Sequence, residues 1–582
     1  MDVGGEFLYP KSQQDLLSAT ELNPTPTTVP PPMAAMAGNI GERHVLVFLG
    51  LPLVGKRTIA LRLKRYLRFF HGAKCRGFDI SALDGGSNLM SPLDANTHSS
   101  EFFNKLRKFL DCSDTEFHQG EDGKTTGGGV GSSPRQNRTS VNGIDPMDKN
   151  AKNVDSGRVA IVFSSNAMSS FYENWSGSSK ERRRWILAQL ATISNSSKSK
   201  TRIKTIFIEV TLTKKYLERE ILSQKLERDV REGRLEPNST REAGQEWREK
   251  VQEYKKLYVT LQDDGSEDDL SYMKLINYGE RVLTNRMRAY LPQRIVQFLT
   301  ATHPTKHTIY LCRHGQSEYN TTGRLGGNSP LTEQGWVFAE ILSRFAAQHV
   351  CKLKEFHSGQ GDGDIEEQVG AGGWMERGAD DEEGPSVAAR LWTSSLFRTI
   401  QTAALIPHPV IRGPDGSAWE SMSPRVYRNI DEIFAGDCEG LTPEEVKVSH
   451  PQASNLRKMD KIGYRYPRGE SYFDIISRLE PCIQEMESYT EPLLIVSHQA
   501  ILRCIFAYLT GVDREKAPGM ETQIQQNVVY QIDLDASSED HITGVANNLP
   551  AFVTVHDFRK EEVEETMLAR TCRQLQSLDP QP

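Results

Sequence analysis

The 582-residue sequence lacks several features that would at once assign it to a broad class of protein. Its eight cysteines are scattered, with no Cys-x-x-Cys pair, so neither a disulfide framework nor a zinc site is predicted. The longest apolar stretch, around Val45–Val54, is far shorter than the roughly 20 residues that span a membrane. No secretory signal pattern opens the chain. These absences predict a cytoplasmic protein without a membrane partner.

The sequence also lacks an excess of positive charge. Its 70 basic and 77 acidic residues give a net charge of -7, which provides no field that would hold nucleic acid non-specifically. Nucleic acid is therefore not an expected partner, and any phosphate binding must come from local groups.

The length fits two domains of roughly 200–250 residues with additional polar segments. Proline-rich residues 1–42 predict a disordered tail, and residues 561–582 are assigned to a C-terminal tail. A segment rich in Gly, Ser and Asn at about 119–157 and a Gly-rich acidic run at about 358–386 predict two insertions. The remaining chain divides into a first domain at 43–300 and a second at 301–560.

Strand and helix patterns alternate in both predicted domains. The buried-strand patterns are Val45–Leu49, Val159–Phe163, Thr205–Glu209, Thr308–Cys312, Leu391–Thr393 and Leu493–Ser497. The first is joined by a glycine-containing loop to a helical pattern that begins at Lys56. This alternation predicts two α/β domains built on parallel sheets.

Four cationic or imidazole groups follow strands of the second domain. Arg313 and His314 follow its first strand, Arg398 follows the second, and His498 follows the third. Because the carboxyl ends of parallel strands meet at one edge of a sheet, these groups are expected to lie together. Phosphoryl transfer needs a nucleophile and cations for the phosphate oxygens. We therefore predict a neutral His314 as nucleophile, with a protonated His498 and both arginines holding the phosphate.

The leaving oxygen of such a transfer also needs a proton. Glu432 is the candidate donor, because packing beside a dianionic phosphate would favour its protonated form. A structural role is the ordinary explanation for a single histidine, and Arg-His-Gly recurs by chance. Four elements in order, each at a strand end, favour catalysis instead.

The surrounding sequence resembles the bisphosphatase half of the bifunctional 6-phosphofructo-2-kinase/fructose-2,6-bisphosphatase family, a branch of the histidine phosphatases. The similar stretches, within residues 267 to about 535, are Asp269–Tyr272, Ile309–Glu318, Thr399–Ala403, Tyr464–Tyr472 and Ser497–Ala500. The resemblance implies a P-loop kinase-like parallel-sheet domain followed by a phosphoglycerate mutase-like histidine phosphatase domain. It also implies fructose 2,6-bisphosphate as substrate and fructose 6-phosphate as product.

The resemblance implies roles for individual residues, with His314 as the phosphorylated nucleophile and Glu432 as the proton donor. The implied phosphate pocket consists of Arg313, Asn320, Arg398 and His498. The implied contacts to the sugar and its 6-phosphate are Gly326, Arg457, Lys461, Tyr472, Gln499 and Arg503. A phosphoglycerate mutase would keep the histidine pair without this sugar-binding set. Gln316 and Pro443 depart from the family's usual Glu and Tyr, and are expected to affect affinity rather than chemistry.

The N-terminal segment Gly50-Leu51-Pro52-Leu53-Val54-Gly55-Lys56 is typical of a P-loop, and its opening resembles the kinase half of the same family. The next residue should carry the hydroxyl that binds magnesium, but it is Arg57. Thr58 comes one position late and is rotated by about 100° around the helix.

Other groups that a kinase needs are missing as well. The segment Phe163-Ser164-Ser165-Asn166 has no carboxylate, and Phe78–Asp84 has no arginine where the family binds fructose 6-phosphate. Losing one electrostatic element typically costs about a hundredfold or more in rate. The sequence therefore predicts an impaired kinase half that binds ATP and magnesium weakly, through Gly50, Gly55, Lys56, Arg57 and Thr58.

Three interpretations stay open at this point. The first is a fructose-2,6-bisphosphatase that needs no cofactor and carries an impaired kinase domain. The others are a bifunctional enzyme that keeps ATP-dependent kinase activity, and a non-catalytic relative that binds sugar phosphates or serves as a scaffold. The complete catalytic set favours the first. A homodimer is also left open.

Overall fold

The computed structural model describes residues 43–79, 92–111, 157–163, 179–196, 203–352, 387–412, 418–520, 524–534, 549–550 and 552–559. The predicted tails, and the insertions over 119–156 and 358–386, lie outside the described residues. No helix in the described part of the chain is long and apolar enough to cross a membrane.

The first sheet has six strands in the order β2-β3-β1-β4-β5-β6. They are β1 (Arg43–Leu49), β2 (Lys74–Asp79), β3 (Arg158–Phe163), β4 (Ile203–Thr211), β5 (Tyr272–Ile276) and β6 (Arg281–Asn285). Neighbouring strands from β2 to β5 are parallel, and β6 is antiparallel to β5. All of β1 is buried, as expected for a central strand with helices on both faces.

Helices cover both faces of this sheet. They are α1 (Lys56–His71), α2 (Pro92–Asp111), α3 (Ser179–Ser196), α4 (Lys215–Arg231), α5 (Thr240–Leu257) and α6 (Tyr290–Ala301). Alternate residues of β1 point to opposite faces. Leu46 and Phe48 belong to the apolar core that includes α1, whereas Val45 and Val47 belong to the core that includes α2 and α3.

The second sheet also has six strands, in the order β11-β8-β12-β7-β13-β14. They are β7 (His307–Arg313), β8 (Arg390–Thr393), β11 (Pro424–Val426), β12 (Leu493–Ser497), β13 (Val528–Leu534) and β14 (Val553–Asp557). The four strands from β11 to β7 are parallel, and β13 and β14 are antiparallel to their neighbours. A separate antiparallel pair is formed by β9 (Val410–Arg412) and β10 (Ala418–Glu420).

Seven helices of the described residues accompany the second sheet. They are α7 (Glu318–Thr322), α8 (Glu333–Phe345), α9 (Phe397–Ala403), α10 (Pro443–Ser449), α11 (Pro451–Met459), α12 (Tyr472–Glu487) and α13 (Gln499–Thr510). The predicted pair of α/β domains, P-loop-like and then phosphatase-like, is confirmed.

One stretch that was assigned by resemblance to the bisphosphatase half belongs to the first domain. This stretch is Asp269–Tyr272, and Tyr272 is the first residue of β5 and pairs with Phe207 of β4. The physical reason is that the backbone hydrogen-bonding groups along the edge of β4 must be paired. The chain after α5 returns to this edge and pairs with it in parallel as β5. Residues 267–285 therefore complete the first sheet.

Candidate active site

A cavity of about 200 Å³ lies at the carboxyl edge of the second sheet. Among the residues predicted for catalysis and sugar binding, those that line it are Arg313, His314, Asn320, Gly326, Arg398, Glu432, Arg457, Tyr472, Gln499 and Arg503. His498 and Lys461 are not part of this lining. Residues of β7, α9 and α13 thus meet residues of α11 and α12 around one space.

The hydrogen bonds of His314 fix which of its ring nitrogens is available. Its Nδ1 lies 2.7 Å from the carbonyl oxygen of Gly315. Because a carbonyl can only accept, Nδ1 carries the proton and Nε2 keeps its lone pair. Nε2 accepts from Nε of Arg398 at 3.1 Å. Burial, together with the charges of Arg398 and Arg313, lowers the pKa of His314 well below its ordinary value. His314 is therefore a neutral imidazole whose Nε2 carries the lone pair.

Two guanidinium groups flank this nitrogen. Nη1 of Arg398 donates to the carbonyl oxygen of Gly327 at 2.8 Å, which orients its planar fork. Nε of Arg313 is buried and has no hydrogen-bond partner among the described residues. Burial lowers the pKa of Arg313 to about 10, so it stays protonated at neutral pH. Both arginines can hold phosphate oxygens by charge-assisted hydrogen bonds.

The loop that carries Gly327 depends on glycine at the preceding position. Gly326 has a φ of 60°, which L side chains rarely adopt, and a Cβ placed there would meet the carboxylate of Glu439. The backbone N–H of Gly327 donates to the same carboxylate. Gly326 therefore allows the loop to close against the cavity, which accounts for its place in the lining.

His498 lies behind the cavity, and its ring centroid is 5.1 Å from that of His314. Its Nε2 is 2.7 Å from Oγ of Ser394, which in turn is 2.8 Å from Oγ1 of Thr399. Its Nδ1 is buried and has no hydrogen-bond partner within the described part of the chain. This nitrogen is the atom that could meet a phosphate oxygen.

The expectation of a protonated His498 is not supported by the protein's own groups. Burial lowers the pKa of His498 well below its ordinary value, and the charge of Arg398 lowers it further. The imidazole is therefore neutral unless a negative charge enters the cavity. A phosphate dianion would oppose both effects and favour protonation.

Asn320 is oriented by three donors to its side-chain oxygen. Oδ1 accepts from the backbone N–H and the hydroxyl of Ser317, both at 3.1 Å, and from Nε2 of Gln526 at 2.7 Å. With the oxygen engaged in this way, the amide nitrogen is the polar atom left for the cavity. Gln526 was not predicted, because only the fold brings the turn before β13 to Asn320.

Glu432 reaches the same space from the loop after β11. Its Oε1 accepts from the backbone N–H of Ile433 at 2.9 Å, and its charge acts on both Arg313 and Arg398. Arg478 of α12 fixes this loop, since its Nη2 donates to the carbonyl oxygen of Asp431 at 2.7 Å. The carboxyl group therefore stands beside the arginines that would hold a phosphate.

The other part of the lining is cationic and aromatic. The guanidinium of Arg457 lies 4.6 Å from the ring centroid of Tyr466, and its Nη1 has no hydrogen-bond partner among the described residues. Burial raises the pKa of Tyr472 to about 12, so its hydroxyl stays protonated. Nε of Arg503 donates to the carbonyl oxygen of Met520 at 2.9 Å. These groups suit a sugar with a second phosphate.

Sequence reasoning missed four polar residues of the lining: Ser317, Tyr319, Arg324 and Tyr466. Tyr466 lies inside the stretch Tyr464–Tyr472, and Arg324 lies two residues before Gly326, so a signal for both was present.

The two departures from the family pattern do not line the cavity. Gln316 accepts from the hydroxyl of Thr332 at 2.9 Å, and Pro443 is the first residue of α10. Any effect of Gln316 or Pro443 on the affinity for substrate must therefore be indirect.

The predicted nucleotide-binding residues lie in the loop between β1 and α1 and in the first turn of α1. Gly50 and Gly55 have φ values of 127° and 72°, which favour glycine. Nζ of Lys56 donates to the carbonyl oxygen of Gly50 at 2.9 Å and also to that of Leu51. Arg57 pairs with Asp79 at 3.9 Å, and Thr58 is 6% exposed. The structure therefore buries the side chain of Thr58.

Comparisons with known proteins agree with this two-domain arrangement. Residues 172–306 match the profile described as 6-phosphofructo-2-kinase, and residues 309–359 and 379–540 match that of the histidine phosphatase superfamily (branch 1). The first of these matches includes β5 and β6, as the sheet order requires.

Three relatives illustrate the range of similarity. The Saccharomyces cerevisiae protein named fructose-2,6-bisphosphatase is 31% identical over 323 residues, 56% of this chain and 60% of its own length. A rat protein named 6-phosphofructo-2-kinase/fructose-2,6-bisphosphatase 3 is 36% identical over 277 residues, 48% of this chain but only 41% of its own length. The Caenorhabditis elegans protein named 6-phosphofructo-2-kinase/fructose-2,6-bisphosphatase is 30% identical over 517 residues, 85% of this chain and 90% of its own length. The chain therefore belongs to the 6-phosphofructo-2-kinase/fructose-2,6-bisphosphatase family.

Proposed function

We propose that the second domain hydrolyses the 2-phosphate of fructose 2,6-bisphosphate through a phosphohistidine at His314. The observation that carries this proposal is the hydrogen bond from Nδ1 of His314 to Gly315, which leaves Nε2 as the nucleophile beside Arg398.

In the first step, Nε2 of His314 attacks the phosphorus of the 2-phosphate. A P–N bond forms as the bond between phosphorus and the sugar O2 breaks. Arg313 and Arg398 balance the charge on the phosphoryl oxygens. Glu432 gives its proton to O2, and fructose 6-phosphate leaves.

In the second step, the carboxylate of Glu432 takes a proton from water, and the resulting oxygen attacks phosphorus. The P–N bond breaks, its electron pair returns to Nε2 of His314, and inorganic phosphate leaves. The residue that acted as acid therefore acts as base, which restores both groups. The same cavity serves both steps, and no metal ion takes part.

Substrate choice follows from the cationic part of the lining. Arg457 and Arg503 offer guanidinium groups to the 6-phosphate, and Tyr472, the first residue of α12, lines the same cavity. Product analysis tests this assignment. We expect fructose 6-phosphate and inorganic phosphate in equal amounts from fructose 2,6-bisphosphate. Release of the 6-phosphate, or phosphoglycerate mutase activity at a comparable rate, would overturn it.

The Glu432→Gln variant is expected to lower kcat by about a hundredfold to ten-thousandfold. Glutamine keeps the size of the side chain but cannot supply a proton to O2 or accept one from water. Steady-state phosphate release measures the effect. The matched control is Glu444→Gln, an exposed carboxylate of α10, which is expected to keep the wild-type rate. Equal rates in the two variants would remove Glu432 from the mechanism.

The Arg457→Ala variant is expected to raise KM at least tenfold and to change kcat less. The lost contact is to the 6-phosphate, which takes no part in bond breaking, and charge-assisted hydrogen bonds contribute about 1.5–3 kcal/mol. The control Arg468→Ala removes a largely exposed guanidinium that pairs with Asp437. A fall in kcat alone, with KM unchanged, would contradict this role.

We also propose that the first domain is an impaired 6-phosphofructo-2-kinase. Arg57 stands where a magnesium-binding hydroxyl is needed, and β3 ends in Phe163 rather than a carboxylate. Formation of fructose 2,6-bisphosphate from ATP and fructose 6-phosphate is expected to be far slower than its hydrolysis. Synthesis at a rate near that of the phosphatase would show a working kinase.

A further inference from the structure

The fold of the first domain implies a magnesium–nucleotide complex at the P-loop, but its residues do not fit a magnesium ion. Magnesium in such a site needs a hydroxyl directly after the loop lysine and a carboxylate from a neighbouring strand. Here the first position is Arg57, the buried Thr58 belongs to the core, and β3 ends in an aromatic ring. Among the described residues no cluster of three or more metal-binding side chains occurs.

The side chain of Arg57 extends over the carboxyl edge of the first sheet. Its guanidinium carbon is 6.0 Å from the ring centroid of Phe163, the last residue of β3. Its Nε is 3.9 Å from Oδ2 of Asp79, the last residue of β2. A fixed cation therefore lies in front of these two strand ends, beside the loop that would hold phosphates.

The other charges that act on Arg57 are two cations and two carboxylates. Arg228 and Arg234 act on it from the end of α4 and the turn that follows, against the carboxylates of Asp79 and Glu232. With Arg57 itself, three guanidinium groups lie against two carboxylates, and Lys56, whose pKa burial lowers to about 7, adds a partial positive charge at neutral pH. Such a surrounding attracts phosphate oxygens and repels a divalent cation.

We propose that Arg57 takes the place of the metal ion, so that the P-loop binds the phosphate chain of a di- or triphosphate in its metal-free form. The planar guanidinium would bridge oxygens of neighbouring phosphates, which is the geometry that arginine donors favour. Lys56 would exchange the carbonyl oxygens of Gly50 and Leu51 for phosphate oxygens. This site is independent of the phosphatase reaction.

Calorimetric titration of the full chain with ATP and with inorganic tripolyphosphate tests the proposal, each with EDTA and with excess magnesium. Both ligands are expected to bind at least tenfold more tightly in EDTA. Comparable affinities for ATP and tripolyphosphate show that the phosphate chain is recognised. Tighter binding of ATP than of tripolyphosphate shows that the nucleoside adds contacts. Tighter binding with magnesium, or no binding of either ligand in EDTA, overturns the proposal.

Variants locate the site. Arg57→Ala and Arg57→Ser are each expected to weaken metal-free binding at least tenfold, with thermal unfolding checking that they fold. Arg248→Ala makes the same charge change at an exposed position of α5 and is expected to bind like the wild type. Arg398→Ala removes a cation of the phosphatase cavity, and unchanged binding by this variant excludes that cavity. Loss of binding in Arg398→Ala but not in Arg57→Ala would overturn the assignment.

Discussion

The His314→Ala variant is expected to release phosphate from fructose 2,6-bisphosphate at least about a thousandfold more slowly than the wild type. Alanine removes the nitrogen that is proposed to form the P–N bond, while the arginines that hold the phosphate remain. The variant should therefore still bind substrate, and it should form no phosphoenzyme. Single-turnover phosphate release and a binding titration measure the two effects separately.

The matched control is His408→Ala, which removes an exposed histidine that follows α9. This variant is expected to keep the wild-type rate. If His314→Ala released phosphate as fast as the wild type, the covalent mechanism would be wrong. If it lost substrate binding as well, His314 would be needed mainly to shape the cavity.

The Glu487→Gln variant is expected to lower the free energy of unfolding by about 3–5 kcal/mol, because it leaves two buried guanidinium groups without their carboxylate. Glu487 ends α12 in the second domain and is completely buried. Arg65 and Arg62 of α1 approach its oxygens at 3.0 and 3.4 Å. The hydroxyl of Tyr508 donates to it at 2.6 Å. This cluster joins the two domains.

The same carboxylate should make stability depend on acid. Burial alone would raise the pKa of Glu487, but Arg65 and Arg62 outweigh burial and hold this pKa at about 2, below its usual 4.5. A depressed pKa in the folded state contributes stability above the unfolded pKa, and this contribution is lost as the pH falls. We therefore expect the wild type to lose its advantage over Glu487→Gln between about pH 4.5 and 2.

Urea titrations of both proteins at several pH values measure this effect. The control Glu491→Gln breaks a partly exposed pair with Arg390, which is expected to cost less than about 1 kcal/mol. A Glu487→Gln variant as stable as this control at neutral pH would show that the domains are joined mainly by apolar packing.

The strands and the catalytic edge could be predicted from sequence because both depend on local patterns. Val45–Leu49 and Leu493–Ser497 are short, continuous apolar runs, and both are central strands. Residues that follow parallel strands meet at one edge whatever the details of the chain between them. From that rule alone, His314 and Arg398 were expected to lie close together.

The features that were missed depend on contacts between distant residues. The charge state of His498 follows from complete burial beside Arg398, and the orientation of Asn320 depends on Gln526, some 200 residues further along the chain. The Glu487 cluster requires both domains to be in place. The antiparallel edge strands, and the position of β5 in the first sheet, likewise become visible only when the sheets are complete.

The most direct test of the phosphatase mechanism is to identify the phosphorylated atom. Wild-type protein would be mixed with fructose 2,6-bisphosphate labelled at the 2-phosphate, quenched within the first turnover, and analysed under alkaline conditions that preserve phosphohistidine. The mechanism predicts an acid-labile phosphate on Nε2 of His314, because Nδ1 is bound to Gly315. A phosphate on Nδ1, a phosphate on another residue, or turnover without any phosphoenzyme would contradict it.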